Sequence, residues 1–311
     1  MNIKRTAALV ALSTLTVGLV GCGTSMTAPS TGVNAAQSLK AAAKTTGVKR
    51  ALMVGINAYQ YVSPLSGCIN DLVDTKAQVL DKYGFAEANT TTLKDAQATR
   101  VNILAALEKL VAESQPGDLL YFHYSGHGAQ IPDTNGDEKD GKDEILCPVD
   151  ARAANGTISN IIVDDEINTI LGKLKPGAGF FMVSDSCNSG TIDQGLERKS
   201  RGITLPATIK NVTPLKANLK SMAAFESRVD AGKYTIITGC QENQTSADAR
   251  INGRWNGALT YCLLETLKAG GSEMTYAAWH RATATELKTR RYSQIPNLLG
   301  AGDTKLFSIA K

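Results

Sequence analysis

A thiol attacks a carbonyl only as its thiolate, and at neutral pH a free cysteine is mostly protonated, so a nucleophilic cysteine needs a base beside it. The chain holds three histidines, His123, His127 and His280. His123 falls inside an apolar run, where alternation turns its side chain onto a covered face, and His280 follows Trp279 on a helical stretch. Only His127 lies in a glycine-flanked segment, Ser125-Gly126-His127-Gly128, that can project a side chain into a cleft. Cys187 lies in a comparable segment, Asp185-Ser186-Cys187-Asn188-Ser189-Gly190. A lone histidine or cysteine is more often structural, whereas this pairing points to Cys187 as nucleophile and His127 as base. Gly128 lets main chain approach a bound carbonyl, and its N–H with that of Cys187 could form an oxyanion hole. No Asn or Asp is assignable from sequence as the group that orients His127, so the expectation is a dyad with its third member open.

Both segments must be placed by the elements before them. Continuous apolar runs at 50–56 (RALMVGI), 118–124 (DLLYFHY), 179–184 (GFFMVS) and 234–238 (YTIIT) read as strands buried on both faces, with a shorter strand at 91–93. Helical spacing appears at 71–83, at 101–111 with Thr99 as a cap, and at 165–174, 258–267 and 276–288. Residues 305–309 could add an edge strand. Strands alternating with helices predict an α/β domain, a mostly parallel central sheet with helices on both faces. Ligands meet such sheets beyond the carboxyl ends of the strands, where His127 and Cys187 fall. Residues 191–232 lack periodicity and carry Arg198, Lys199, Arg201, Lys210, Lys216, Lys220 and Arg228. They read as a long exposed basic connection, or more sharply as a place where the enzyme cuts itself after Arg or Lys.

The amino terminus bears on location. Lys4 and Arg5 precede a fifteen-residue uncharged stretch at 6–20, too short to span a bilayer comfortably as a helix, and it closes on Leu19-Val20-Gly21-Cys22. This ending resembles a bacterial lipobox. The resemblance implies cleavage after a signal at 1–21, a lipid on Cys22, export, and anchoring to a bacterial membrane on the periplasmic or outer face; an ordinary cleaved signal is the alternative. Residues 22–48, rich in Ser, Thr, Ala and Gly, read as a flexible tether. Residues 49–311 are ordinary globular material, with 43% hydrophobic and 20% charged residues in the whole chain. The net charge of +4 comes partly from the leader and tether, and no basic run with interleaved aromatics suggests nucleic acid. Of six cysteines, Cys68, Cys147, Cys240 and Cys262 remain after Cys22 and Cys187. They show no zinc or CxxC spacing, and most are expected to be buried and unpaired.

Beyond these readings, a set of segments in order resembles the metacaspases, within the caspase-like cysteine peptidases. They are ALMVGIN at 51–57, GCIND at 67–71, DAQATR at 95–100, YFHYSGHGAQ at 121–130, DEKDGKDEILCPVD at 137–150, VDD at 163–165 and VSDSCNSG at 183–190. GCQENQTSAD at 239–248 and GALTY at 257–261 look like the family's small-subunit region. The resemblance implies a caspase-haemoglobinase fold, with a large-subunit-like part at about 49–195, the basic connection at about 196–232 and a small-subunit-like part at about 233–311. It also implies cleavage of proteins or peptides after Arg or Lys by a monomer. By the family pattern the specificity pocket includes Cys68, Asp71, Ser125 and Asp185. Two carboxylates there favour a cation, each pair being worth roughly 4 kcal/mol at about 4 Å and an effective dielectric near 20. The plainer alternative is that Asp71 caps a helix and Asp185 makes an Asx-turn.

Activation by Ca²⁺, with no organic cofactor, is implied in the same way, through Asp143, Asp164, Asp165 and Asp193; hard carboxylate oxygens suit that ion. The acidic run at 133–143 is alternatively a solvated loop. The chain departs from the family in carrying Asn188 where a histidine usually follows the nucleophile. A catalytically silent caspase-like binding or scaffold lipoprotein stands as the other functional reading.

Overall fold

The computed structural model describes residues 47–133, 141–154, 157–187, 197–203, 205, 211–212, 234–241 and 244–308. The leader, Cys22, nearly all of the tether, Asn188 and Asp193 lie outside these residues.

Six strands form the central sheet: β1 (Lys49–Gly55), β2 (Thr90–Lys94), β3 (Leu119–Ser125), β4 (Gly179–Asp185), β5 (Tyr234–Thr238) and β6 (Asn297–Gly300). Their spatial order is β6-β5-β4-β3-β1-β2, and every neighbouring pair is parallel except β5 with β6. The edge strand expected at 305–309 is instead β6. Lys305 makes only an isolated bridge to Thr275, where the chain turns back over the helix beginning at Tyr276.

The apolar runs lack alternation because both faces of the sheet are covered. Leu52, Val54, Leu120, Phe122, Phe180 and Met182 pack on one side with α2 (Arg100–Ala112) and α3 (Asp164–Leu171). Ala51, Met53, Tyr121, Phe181 and Val183 pack on the other with α1 (Cys68–Thr75), α4 (Ala258–Gly270) and α5 (Tyr276–Thr289). Burying some ten large side chains per face, at about 1.5–3 kcal/mol each, holds the layers together. Thr99 caps α2 as expected, its Oγ1 accepting from the Asn102 N–H at 3.3 Å. The helix expected over 71–83 begins at Cys68 and passes through a π-helical stretch, Lys76–Leu80, before Asp81–Tyr83. Among the described residues, no helix is long and apolar enough to cross a membrane.

The chain runs from β1 outward to β2, then returns to β3 on the other side of β1. That reversal opens a crevice at the carboxyl ends of β1 and β3. Pairing of β3 with β4 is in register there, with Ser125 opposite Asp185, so His127 and Cys187 each follow their strand by two residues.

Candidate active site

The His127 loop is clamped by two tyrosines. The Tyr59 hydroxyl accepts from the His127 N–H at 2.8 Å, and the Tyr124 hydroxyl donates to the His127 carbonyl at 2.8 Å. A side chain on Gly126 would lie 2.7 Å from both hydroxyl oxygens, so only glycine fits between them. Held in this way, the imidazole donates from Nε2 to the Ser63 carbonyl at 2.7 Å and packs against the Tyr59 ring. The third group that sequence left open is therefore a main-chain carbonyl, which has no side-chain signature to read. Nδ1 is buried and makes no hydrogen bond, although the Arg201 carbonyl lies close enough to favour its protonated form. Burial is the larger effect and lowers the pKa of His127, so the ring is neutral at pH 7.

Cys187 is buried, and its sulfur accepts from the Ser246 N–H at 2.7 Å and donates to the Ser246 carbonyl at 3.2 Å. No hydrogen bond joins it to His127. Burial and then the neighbouring Cys240 thiol push the Cys187 pKa well up, which holds the sulfur as a thiol. Cys68, Cys147 and Cys262 are buried free thiols, as expected. Burial likewise pushes the thiols of Cys147 and Cys262 up to about 12.

One finding corrects the sequence reading directly. The basic connection is not exposed where it crosses the site: Arg201 is fully buried. Its guanidinium lies among three carboxylates that are also fully buried. Nη2 donates to Asp71 at 2.8 Å and to Asp248 at 2.9 Å, while Nη1 lies 3.3 Å from Asp185 and donates to Ser125 Oγ at 2.7 Å. Burial alone would lower the pKa of Arg201; the carboxylates outweigh it and keep the guanidinium charged.

The carboxylates are themselves held. Asp71 accepts from Ser125 Oγ at 2.7 Å and from the Gly257 N–H at 2.8 Å. Asp185 accepts from Ser246 Oγ at 2.8 Å and from the N–H and hydroxyl of Thr260 at 2.8 and 2.7 Å. Asp71 does not cap α1, whose cap position is Gly67, and Asp185 reaches across to α4 rather than closing a local turn. Burial raises the Asp71 carboxyl to about 6, with Arg201 opposing the shift. Cys68 lies in the same environment, its thiol pushed up by burial. All four pocket residues expected from sequence thus meet here. The one missed is Asp248, which ends the GCQENQTSAD segment and whose place depends on a chain reversal far along the sequence.

The main chain around Arg201 is bound on both sides. Arg198–Ser200 pairs antiparallel with Ala247–Ile251, and the Arg201 N–H donates to the Ser246 carbonyl at 3.0 Å. The Gly128 N–H donates to the Arg201 carbonyl, and Ile203 N–H donates to the Gly128 carbonyl, both at 3.0 Å. A groove of about 610 Å³ runs beside this segment, between Val62–Leu65 and residues 198–203, and reaches His127.

Among the acidic residues expected to hold Ca²⁺, Asp143 and Asp165 are buried, and each lies two residues from the paired Ile145 and Val163. Asp164 and Asp165 open α3. Among the described residues, no group of three or more His, Cys, Asp or Glu side chains is arranged to hold a metal.

A doubly covered parallel sheet with a histidine and a cysteine beyond adjacent strands defines a caspase-like cysteine peptidase. The sequence profile of the metacaspase, peptidase C14 domain matches residues 49–194. Metacaspase-1A of Aspergillus terreus is 33% identical over 292 residues, covering 82% of this chain and 71% of its own. Metacaspase-1 of Eremothecium gossypii is 36% identical over 295 residues, covering 81% and 64%, and Metacaspase-1 of Ajellomyces capsulatus is 32% identical, covering 81% and 80%. The crystal structure of protein GSU0716 from Geobacter sulfurreducens superposes with a TM-score of 0.60 at 28% identity, covering 85% of this chain and all of that one. The chain belongs to the metacaspase family.

Proposed function

We propose that this cysteine peptidase cuts after Arg or Lys, and that its first substrate is its own Arg201–Gly202 bond. The observation that carries the reading is the placement of Arg201. Its guanidinium fills a pocket of three buried carboxylates while its carbonyl accepts from Gly128 beside Cys187 and His127. Three negative groups around one cation leave an excess of negative charge, so an acidic side chain would be repelled.

In the reaction, the Cys187 thiol leaves Ser246 and gives its proton to Nδ1 of His127, whose tautomer Ser63 fixes through Nε2. Sulfur adds to the Arg201 carbonyl carbon, and the oxyanion is held by the N–H groups of Gly128 and Cys187. Collapse breaks the bond to Gly202, whose amine takes the proton from His127. Water activated by the same imidazole then releases the Arg201 carboxylate and restores the thiol. Later substrates enter the pocket that Arg201 vacates.

Asp143, Asp164, Asp165 and Asp193 are proposed to hold an activating Ca²⁺, which would supply charge that orders the loops around them. Cys22 is proposed to carry the lipid that fixes the exported enzyme to a bacterial membrane. The test of the main reading is mass mapping of purified chain with and without Ca²⁺. A new carboxyl end at Arg201, absent in Cys187→Ala, supports it; cleavage that persists in Cys187→Ala refutes it. Radiolabelled fatty acid that fails to incorporate at Cys22 would remove the anchor alone.

A further inference from the structure

The segment before Arg201 is bound as a peptide would be, so it exposes subsites that the pocket for Arg201 does not define. Alternate residues of a strand point to opposite sides. Lys199 therefore shares a side with Arg201, and Arg198 with Ser200. Lys199 Nζ lies 5.1 Å from the centre of the Trp255 ring and donates to Ser66 Oγ at 2.9 Å and to the Pro64 carbonyl at 3.3 Å. These acceptors are fixed, since Asp248 accepts from the N–H groups of both Ser66 and Gly67, at 2.8 and 2.9 Å. Trp255 is fixed too, its carbonyl accepting from Asn70 Nδ2 at 2.7 Å.

Arg198 lies over the Tyr292 ring at 4.4 Å and donates from Nη1 to the Arg291 carbonyl at 3.2 Å. That carbonyl and ring are presented by an unusual end to α5. Arg291 takes the left-handed position, φ 62°, that glycine usually fills after a helix, and the Tyr292 N–H closes back on the Leu287 carbonyl. An aromatic face with carbonyl or hydroxyl acceptors beside it binds a cation and offers little to a neutral side chain.

We infer that Trp255 with Ser66, and Tyr292 with the Arg291 carbonyl, form two further cation subsites, so that the enzyme selects the pattern Arg-Lys-x-Arg in its protein substrates rather than a lone basic residue. The inference rests on the proposed cut after Arg201 and extends it two and three residues upstream. The cation at the third position before the cut reads Trp255; the one at the fourth reads Tyr292.

Four fluorogenic peptides ending in Arg test this with purified chain that has cut itself: Arg-Lys-Ser-Arg, Ala-Lys-Ser-Arg, Arg-Ala-Ser-Arg and Ala-Ala-Ser-Arg. Each cation is expected to raise kcat/KM roughly two- to five-fold, the size of an exposed cation–π contact, and the two to multiply to roughly ten-fold. Replacing the lysine by norleucine, which keeps the stem and removes the charge, is expected to behave as alanine does. In Trp255→Leu the preference for lysine is lost and that for the upstream arginine stays; in Tyr292→Leu the losses are reversed. Wild-type chain that cleaves all four peptides equally overturns the subsites and leaves the pocket intact. Chain that cleaves none of them, while cutting a peptide that ends in another residue, overturns the proposed function and this inference with it. Equal preference for norleucine and lysine shows packing rather than charge, and also overturns it.

Discussion

The main-chain N–H of Gly128 donates to the carbonyl oxygen of Arg201 at 3.0 Å. This one bond holds the Arg201 peptide group beside Gly128, next to the proposed base His127, while the same residue's guanidinium is locked among carboxylates. The structure thus describes a peptidase with its own chain laid through the site.

Gly128 has no room for a side chain: a methyl there would lie 2.6 Å from the Cys187 carbonyl oxygen and 3.1 Å from that of Ile145. Gly128→Ala is expected to move the N–H off the oxyanion position and to lower kcat by about 10²–10³-fold, the usual loss of one such donor. KM should change far less. Steady-state kinetics on an Arg-terminated peptide separates the two, and a change confined to KM would refute the role.

Gly257 borders the pocket at its floor. A methyl there would sit 2.1 Å from Asp185 Oδ2 and 2.4 Å from Arg201 Nη1, in the space the guanidinium occupies. Gly257→Ala should therefore abolish both self-cleavage and turnover of Arg and Lys peptides, by at least about 10²-fold in kcat/KM. Circular dichroism confirms that the fold survives; a folded variant with ordinary activity contradicts the pocket assignment.

The self-cut should slow as pH falls through about 6. Asp71 accepts from Arg201, Ser125 and Gly257, so the ionised form fits the site, yet burial raises its pKa to about 6. Because the cut is intramolecular, its pH profile reports groups with Arg201 already in place. Asp71→Asn should flatten that acidic limb while lowering the plateau. The sign for stability is opposite: a raised carboxyl favours the folded chain when protonated. That contribution is complete below the unfolded value near 3.9 and is lost as pH rises through about 6. In thermal melts from pH 4 to 7, Cys187→Ala should lose Tm relative to the double variant with Asp71→Asn as pH rises, and a constant difference between the two would refute the raised carboxyl.

Thiol labelling reports occupancy of the site. Cys187 is buried and its pKa is pushed up, and the segment around Arg201 is bound to Ser246 and Gly128, the first of which also holds the Cys187 sulfur. Arg201→Ala removes the cation that pairs Asp71, Asp185 and Asp248, and leaving such charges unpaired costs several kcal/mol. The segment should leave the pocket, and iodoacetamide should modify Cys187 at least about ten-fold faster than in uncut wild-type chain. Cys147 and Cys262, away from the pocket, should stay protected in both. Equal labelling of Cys187 in the two proteins would show that the segment does not gate the thiol.

Much of the scaffold was legible in the chain. Runs such as GFFMVS are apolar at every position because the sheet is covered on both faces, and that pattern alone locates β1, β3, β4 and β5 to within a residue or two. The glycines and serines just past β3 and β4 marked His127 and Cys187, since parallel sheets present ligands at that edge. The edge strand escaped because β6 is short and partly exposed, with no distinctive period.

What only the tertiary structure decided is how distant charges share one desolvated volume. The family resemblance put Asp71 and Asp185 in one pocket, but Arg201 and Asp248 look like ordinary polar residues in sequence, and a basic stretch reads as solvated because an isolated arginine is costly to bury. Folding brings three carboxylates to one guanidinium, and the cost is offset by ion pairs and hydrogen bonds that no local pattern records. The Ser63 carbonyl that orients His127 is likewise main chain, positioned by a loop rather than named by a side chain. The sequence by itself determined the sheet and which residues stand at its carboxyl edge; the three-dimensional packing decided that Arg201 lies among them.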